Sequence, residues 1–435
     1  MEGIKMKDSG IKWIGKIPED WDIKKIKYCC DTIGSGTTPD SANLEYYENG
    51  IYNWIQSGDL YQTEYIEKTE KKITQKAVKD SMSLKLYKKD FLVIAMYGAS
   101  VGNVAISKIN GYVNQACCAL NSKNNNIKYI FYNIKAANKY LIDMAFGGTQ
   151  PNISQIIIKN TPIVLPSRKE QDKIVNFLDK KCADIDEIIS KTEKQIEILE
   201  QYKKSLITET VTKGLKNSKL INSDIKWIGE IPFDWNTKKI KYVATLKGRI
   251  GWQGLTSDEY QDEGPYLITG VDFLNGQINW ENCVHIPEKR WTEAVDIRIK
   301  ENDLLITKDG TVGKVALVKN LKDKASLNSG VLLINLEEEY DKKYLFWVLQ
   351  SDIFWKWFSY TNSGNSTIIH LYQHDFDNFE YPIPPMKEQK EIAAFLDMKC
   401  DKTDKIIKQQ KASLETLKKY KQSLIYEYVT GKKRV

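Results

Sequence analysis

Catalysis by side chains needs ionisable groups of the right type within reach of one another, and few spacings in this chain suggest such a set. Its three histidines are His285, His370 and His374. All fall in the second half, so no histidine mechanism can be repeated in both halves. His370 and His374 have the i, i+4 spacing of a helical metal pair, but the H-E-x-x-H order is absent. Asp59, Glu70 and Lys72 have the residue types of a metal-dependent nuclease triplet. Such a match is common by chance in a Lys/Glu-rich chain, and the second half carries no copy. There is no G-x-x-x-x-G-K-[ST] phosphate loop. The Phe146-Gly147-Gly148-Thr149 loop lacks the F-x-G-x-G spacing of adenosylmethionine binders, and no Asp/Asn-Pro-Pro-aromatic tetrapeptide occurs. The expectation is a binder: no catalytic residues, no metal, no cofactor.

What the chain does carry is repetition. Residues 9–28 (SGIKWIGKIPEDWDIKKIKY) return as 223–242 (SDIKWIGEIPFDWNTKKIKY), with 15 of 20 positions identical. Leu165–Gly214 returns as Ile383–Lys432, with 23 of 50 identical. Two like units in one chain imply pseudo-two-fold symmetry.

The second repeat reads as a long helix. No Gly or Pro interrupts Lys169–Thr212. Leu178, Cys182, Ile185, Ile189, Thr192, Ile196, Leu199 and Leu206 recur at steps mainly of three and four, a coiled-coil seam. The copy offers Leu396, Cys400, Thr403, Ile407, Gln410, Leu414, Leu417 and Leu424. Pro166 and Pro384–Pro385 mark the starts, and Gly214 and Gly431 the exits. The exits differ: Val211-Thr212-Lys213-Gly214 in the first, Val429-Thr430-Gly431-Lys432 in the second. Some 43 residues would span about 65 Å. A narrow seam on a charged helix needs a partner, and the nearest is the other copy, packed antiparallel.

Between opening motif and helix lie two units of ordinary domain size, about 29–164 and 243–382. FLVIAMYGASVGNVAI (91–106) and DLLITKDGTVGKVAL (303–317) read as strand, glycine turn, strand. NWIQSGDL (53–60) matches PYLITGVDF (265–273). Segments 128–154 and 343–373 read as one or two helices and a polar loop. The frame repeats while its cargo diverges, which suggests one job on two targets. Seven cysteines, without C-x-x-C, read as reduced structural thiols. Net charge +7, with only five arginines among 64 basic residues, is compatible with a polyanion partner. With no apolar run of membrane length and no apolar leader core, the expected location is cytoplasmic.

W-I-G-x-I-P-x-D-W-x-x-K-K-I-K-Y occurs twice, as does K-E-Q-x-x-I-x-x-F-L-D leading into a helix that ends in V-T, with G-S-G-T-T-P (34–39) and K-G-R-I-G-W-Q-G-L (247–255) between. This arrangement, over nearly the whole chain, resembles the specificity subunit of type I restriction–modification systems. The resemblance implies an α+β fold: two pseudo-symmetric mixed α/β target-recognition domains separated by two long antiparallel coiled-coil helices. It places a first recognition domain with its docking segment at 1–164, a central spacer helix at 165–214, a second recognition domain at 215–382 and a C-terminal spacer helix at 383–435. Each domain would read half of a bipartite site in double-stranded DNA. Two modification (methyltransferase) subunits and restriction/translocase subunits would be partners and carry the chemistry.

Base reading needs side chains at groove edges, so polar, Gly-flanked loops are the candidates. In the first unit these hold Ser35, Thr37, Thr38, Gln56, Ser57, Tyr97, Ser100, Thr149, Gln150 and Asn152. In the second they hold Lys247, Arg249, Trp252, Gln253, Thr269, Lys308, Thr311, Ser363, Asn365, Ser366, Thr367 and His370. Arg249, between two glycines and able to donate twice to guanine, leads the set. Trp13, Trp21, Trp227 and Trp235 recur identically and read as packing anchors. Lys24, Lys25, Lys27 and their copies Lys238, Lys239, Lys241 are candidate phosphate contacts. Two rivals remain: a self-contained DNA methyltransferase or nuclease, tested by activity without partners, and a coiled-coil adaptor, tested by salt dependence of DNA binding.

Overall fold

The computed structural model describes residues 5–61, 63–145, 151–249, 255–362 and 370–435. Two compact units emerge, Met1–Glu193 with Ala412–Val435, and Lys194–Lys411. Each is mixed α and β, and each contains part of both long helices.

In the first unit a five-stranded sheet runs in the order Thr32–Ser35, Cys117–Asn121, Phe91–Ala95, Val104–Ser107, Tyr65–Ile66. Phe91–Ala95 is apolar throughout and buried on both faces, as a central strand must be. The second unit repeats the core of this sheet: Ala244–Gly248, Val331–Leu336, Leu304–Thr307, Val315–Leu317. Each unit adds a three-stranded sheet, around Tyr52–Ile55 in the first and Gln261–Ile268 in the second. Two helices follow in each, Ile127–Ala136 and Asn138–Asp143, then Lys342–Gln350 and Asp352–Thr361. The side chains of Asn126 and Asp341 cap the first helix of each pair.

The long helices are Arg168–Lys213, 46 residues, and Met386–Val429, 44 residues. At about 1.5 Å per residue they are ~69 and ~66 Å long. Every seam residue named from the sequence is buried or half-buried. Within the first unit the Phe177 and Tyr428 rings lie tilted with centroids 4.4 Å apart and Lys421 meets Asp186 at 2.6 Å, so the helices run antiparallel. Within the second, Lys203–Asp404 at 2.7 Å and Lys411–Glu200 at 2.9 Å give the same sense. Buried Thr192 and Thr403 return their hydroxyls to the carbonyls of Ile188 and Lys399, so neither leaves the seam an unmet polar group.

The repeated motifs explain themselves as joints. The Trp21 indole donates to Glu170 Oε2, and Trp235 to Glu388 Oε2, both at 3.2 Å. Gln171 and Gln389 accept from the backbone of Asn126 and Asp341 while donating to the carbonyls of Pro166 and Pro384. The K-E-Q triplet thus fastens each helix start to its own globular unit. The helix exits converge as well: Gly214 (φ +73°) abuts Trp235, and Gly431 (φ +71°) abuts Trp21. The one-residue difference between the exit sequences leaves this left-handed glycine cap in place at both. A fully buried hydroxyl seals each exit. Tyr129 Oη donates toward the carbonyls of Val164 and Val429, and Tyr344 Oη toward those of Pro382 and Val211. Trp13 and Trp227 lie against Tyr140 and Tyr360. All four tryptophans therefore pack within the fold.

The cysteines are free thiols, six of them buried. Burial pushes Cys29 up to about 11 and Cys118 to about 12, so they stay protonated and pack as small apolar groups. Among the described residues, no helix is long and apolar enough to cross a membrane.

Candidate nucleic-acid interface

Antiparallel pairing decides where the candidate readers emerge. In the first unit Cys117–Asn121 is antiparallel to both neighbours, with Cys118 opposite Ser35 and Cys117 opposite Ala95. The Thr32–Ser35 and Phe91–Ala95 strands therefore leave the sheet at the same end. Ser35 ends the first, with Thr37 and Thr38 following it, and Tyr97 and Ser100 follow the second. Gln56 and Ser57 join them, because the Asn114 amide of the segment leading into Cys117 bonds the Ile55 carbonyl. Asn152 is delivered by its own backbone bridge to Tyr97, with the Ile153 amide on the Met96 carbonyl at 2.9 Å. Gly36 makes the close approach possible: a Cβ there would lie 1.6 Å from the Val113 carbonyl oxygen.

The second unit repeats the arrangement. Gly248 faces Leu332 and Thr307 faces Val331, so Lys247 and Lys308 mark the same sheet end. Thr311 Oγ1 donates to the Gly270 carbonyl at 3.2 Å, which brings Thr269 alongside. His370 reaches the tip of the 304–317 hairpin, its Nδ1 2.7 Å from Asp309 Oδ1. Thr149, Gln150, Trp252, Gln253, Ser363, Asn365, Ser366 and Thr367 lie outside the described residues.

Arg249 and Thr269 are occupied with the fold itself. Arg249 is only 5% exposed; its Nε donates to the Leu327 carbonyl at 2.7 Å and its Nη2 to Ser326 Oγ at 2.9 Å. Burial lowers the pKa of its guanidinium. The side chain expected to lead base reading is turned inward and ties strand Ala325–Leu327 to the end of Ala244–Gly248. Thr269 spends its amide and hydroxyl on Asp272 Oδ2, at 2.7 and 2.8 Å. The structure adds Asp309, part of an ordinary Asp-Gly turn in the sequence, to the side chains at this edge through its contact with His370. It lies two residues beyond Thr307, as Tyr97 lies two beyond Ala95.

Of the nuclease-like triplet, Asp59 is engaged by backbone amides. Asp59 accepts the amides of Gln56 at 2.7 Å and Glu70 at 3.2 Å, so it closes a turn. Asp272 does the same in the second unit. His370 precedes the Gln373–Phe376 helix, so its spacing from His374 is not helical. No cluster of three His, Cys, Asp or Glu able to hold a metal occurs among the described residues. The lysines Lys24, Lys25, Lys27, Lys238 and Lys241 are exposed, and Lys27 and Lys241 lie over the rings of exposed Tyr28 and Tyr242.

Two sheets of common plan, each presenting polar loops at one end, on paired long helices: this is the architecture of a duplicated binding protein. A family described as "Type I restriction modification DNA specificity domain" matches residues 18–198 and 232–416, and the chain belongs to that family. The MjaIX specificity subunit of Methanocaldococcus jannaschii is 29% identical over 429 residues, covering 97% of this chain and 95% of that protein. The MjaVIII specificity subunit of the same organism is 27% identical over 433 residues, covering 97% and 94%. A chain from a structure of a type I restriction–modification system, titled for its complex assembly and conformational transition, superimposes with TM-score 0.72 at 15% identity, covering 95% of this chain and 98% of that one. The HsdS subunit from Thermoanaerobacter tengcongensis gives 0.52 at 16% identity, covering 95% and 98%.

Proposed function

We propose that this chain is the sequence-reading subunit of a type I restriction–modification complex, with each α/β unit reading one half of an asymmetric bipartite DNA site. The observation that carries it is the duplicated frame with divergent sheet ends. Buried joints recur in both halves, whereas the loops at the reading end share few residues. Readers built alike but faced differently recognise different half-sites. Along the chain the reading assigns 1–164 and 215–382 to recognition and 165–214 and 383–435 to the spacer helices.

The complex supplies what this chain lacks. Two modification subunits, one for each copy of the frame, carry methyl transfer. Restriction and translocase subunits join them, and the whole works in the cytoplasm on double-stranded DNA. The subunit itself is non-catalytic and holds no cofactor. Genome-wide mapping of methylated positions, with and without this chain, tests the reading. A split motif with a constant gap, lost on deletion, is expected. Methylation that persists without the chain, or a contiguous motif, overturns it. Activity of the purified chain alone with adenosylmethionine or a divalent metal would favour a self-contained enzyme instead.

A further inference from the structure

Two topological positions meet in both units, and they carry different chemistry in each. The first lies two residues beyond the last paired residue of the central hairpin strand: Tyr97 after Ala95, Asp309 after Thr307. The second immediately precedes a residue whose amide ties the returning chain to that hairpin. Asn152 precedes Ile153, which bonds the Met96 carbonyl at 2.9 Å; His370 precedes Leu371, which bonds the Lys308 carbonyl at 2.9 Å. In the first unit the pair is Tyr97 and Asn152, joined by a backbone bridge. In the second it is Asp309 and His370, joined through their side chains at 2.7 Å.

We propose that this juxtaposed pair is a specificity-determining position of each unit, and that Asp309 with His370 selects a base whose exocyclic amine faces the major groove, cytosine or adenine. The inference rests on the reading of each unit as a DNA half-site reader. A carboxylate oxygen only accepts, so the proton in the 2.7 Å contact sits on His370 Nδ1. With Oδ1 engaged by the ring, the acceptor that the pair turns outward is Asp309 Oδ2. Cytosine N4 and adenine N6 are the major-groove donors that satisfy acceptors. Guanine O6 and N7 would face a like-signed carboxylate. The His370 and Asp309 side chains are 36% and 41% exposed, and Gly310 at the tip (φ +69°) leaves open space around it. Holding the loop does not require these side chains, because the Leu371–Lys308 backbone bond does that, as its counterpart does in the first unit.

The test is methylation-motif sequencing of cells carrying the full complex with Asp309→Asn. Asparagine keeps the size and can still accept from His370, but adds a donor that tolerates keto bases. The expected result is a preference relaxed by about tenfold or more at one base pair of one half-site, the other half-site intact. Tyr97→Ala with Asn152→Ala should alter only the opposite half-site. A D309N complex with wild-type melting temperature and both half-sites unchanged overturns the inference. If D309N lowers the melting temperature, His370→Asn replaces it: a motif unchanged in that variant overturns the inference equally. A wild-type complex that yields no split motif would instead sink the half-site reading beneath it.

Discussion

Tyr129→Phe removes one oxygen and keeps the ring, so it isolates the bond that seals a helix exit. The hydroxyl lies 3.0 Å from the Val164 carbonyl and 3.1 Å from that of Val429, and the residue is fully buried. One proton is shared between two acceptors, so a single neutral hydrogen bond is lost. Such a bond is worth about 0.5–1.5 kcal/mol, and a buried acceptor left unpaired raises the cost to about 1–3 kcal/mol. The ring remains, so the cavity cost of a truncation to alanine, about 3–5 kcal/mol, is absent. Each kcal/mol should lower the melting temperature by about 2–4 °C in a unit of this size. The loosening should be local. Tyr344→Phe should act likewise through Pro382 and Val211. Hydrogen exchange read by mass spectrometry makes a crossed test. Y129F should speed exchange in peptides covering 425–432 and leave 208–215 unchanged, and Y344F should do the reverse. Equal exchange of both peptides in both variants, or a loss as large as alanine causes, would refute the seal.

Gly36→Ala should disrupt the reading end of the first unit, since its Cβ has no room beside the Val113 carbonyl; motif sequencing should show that half-site lost and the other retained. Arg249→Ala should destabilise the second unit by about 1–3 kcal/mol by stripping donors from Leu327 and Ser326, and calorimetry showing no change would mean the guanidinium is not held inside. Affinity of the complex for its DNA should fall by at least about tenfold between 50 and 200 mM salt, measured by anisotropy; a flat titration would argue for the coiled-coil adaptor.

The chain order alone determined the duplicated plan, the two long helices and their seam. Those features are periodic and local: apolar residues every three or four positions, prolines before and glycines after. The identical recurrence of Trp21 and Trp235 in units whose loops differ likewise marked them as packing residues. The reading surface was different, because it is assembled from strand ends far apart in sequence. Ser35 and Tyr97 share an edge because Cys117–Asn121 runs antiparallel to both its neighbours, and backbone bonds from Asn114 to Ile55 and from Ile153 to Met96 bring Gln56 and Asn152 to it. Side-chain direction was beyond the sequence as well. Arg249 sits between glycines as an exposed turn residue would, yet carbonyl and hydroxyl acceptors draw its guanidinium inward. Asp309 reads as half of an ordinary turn until His370 is brought to it across 61 residues. Periodicity fixes which faces are apolar; only tertiary packing decides which polar groups are consumed by the fold and which are left to meet a partner.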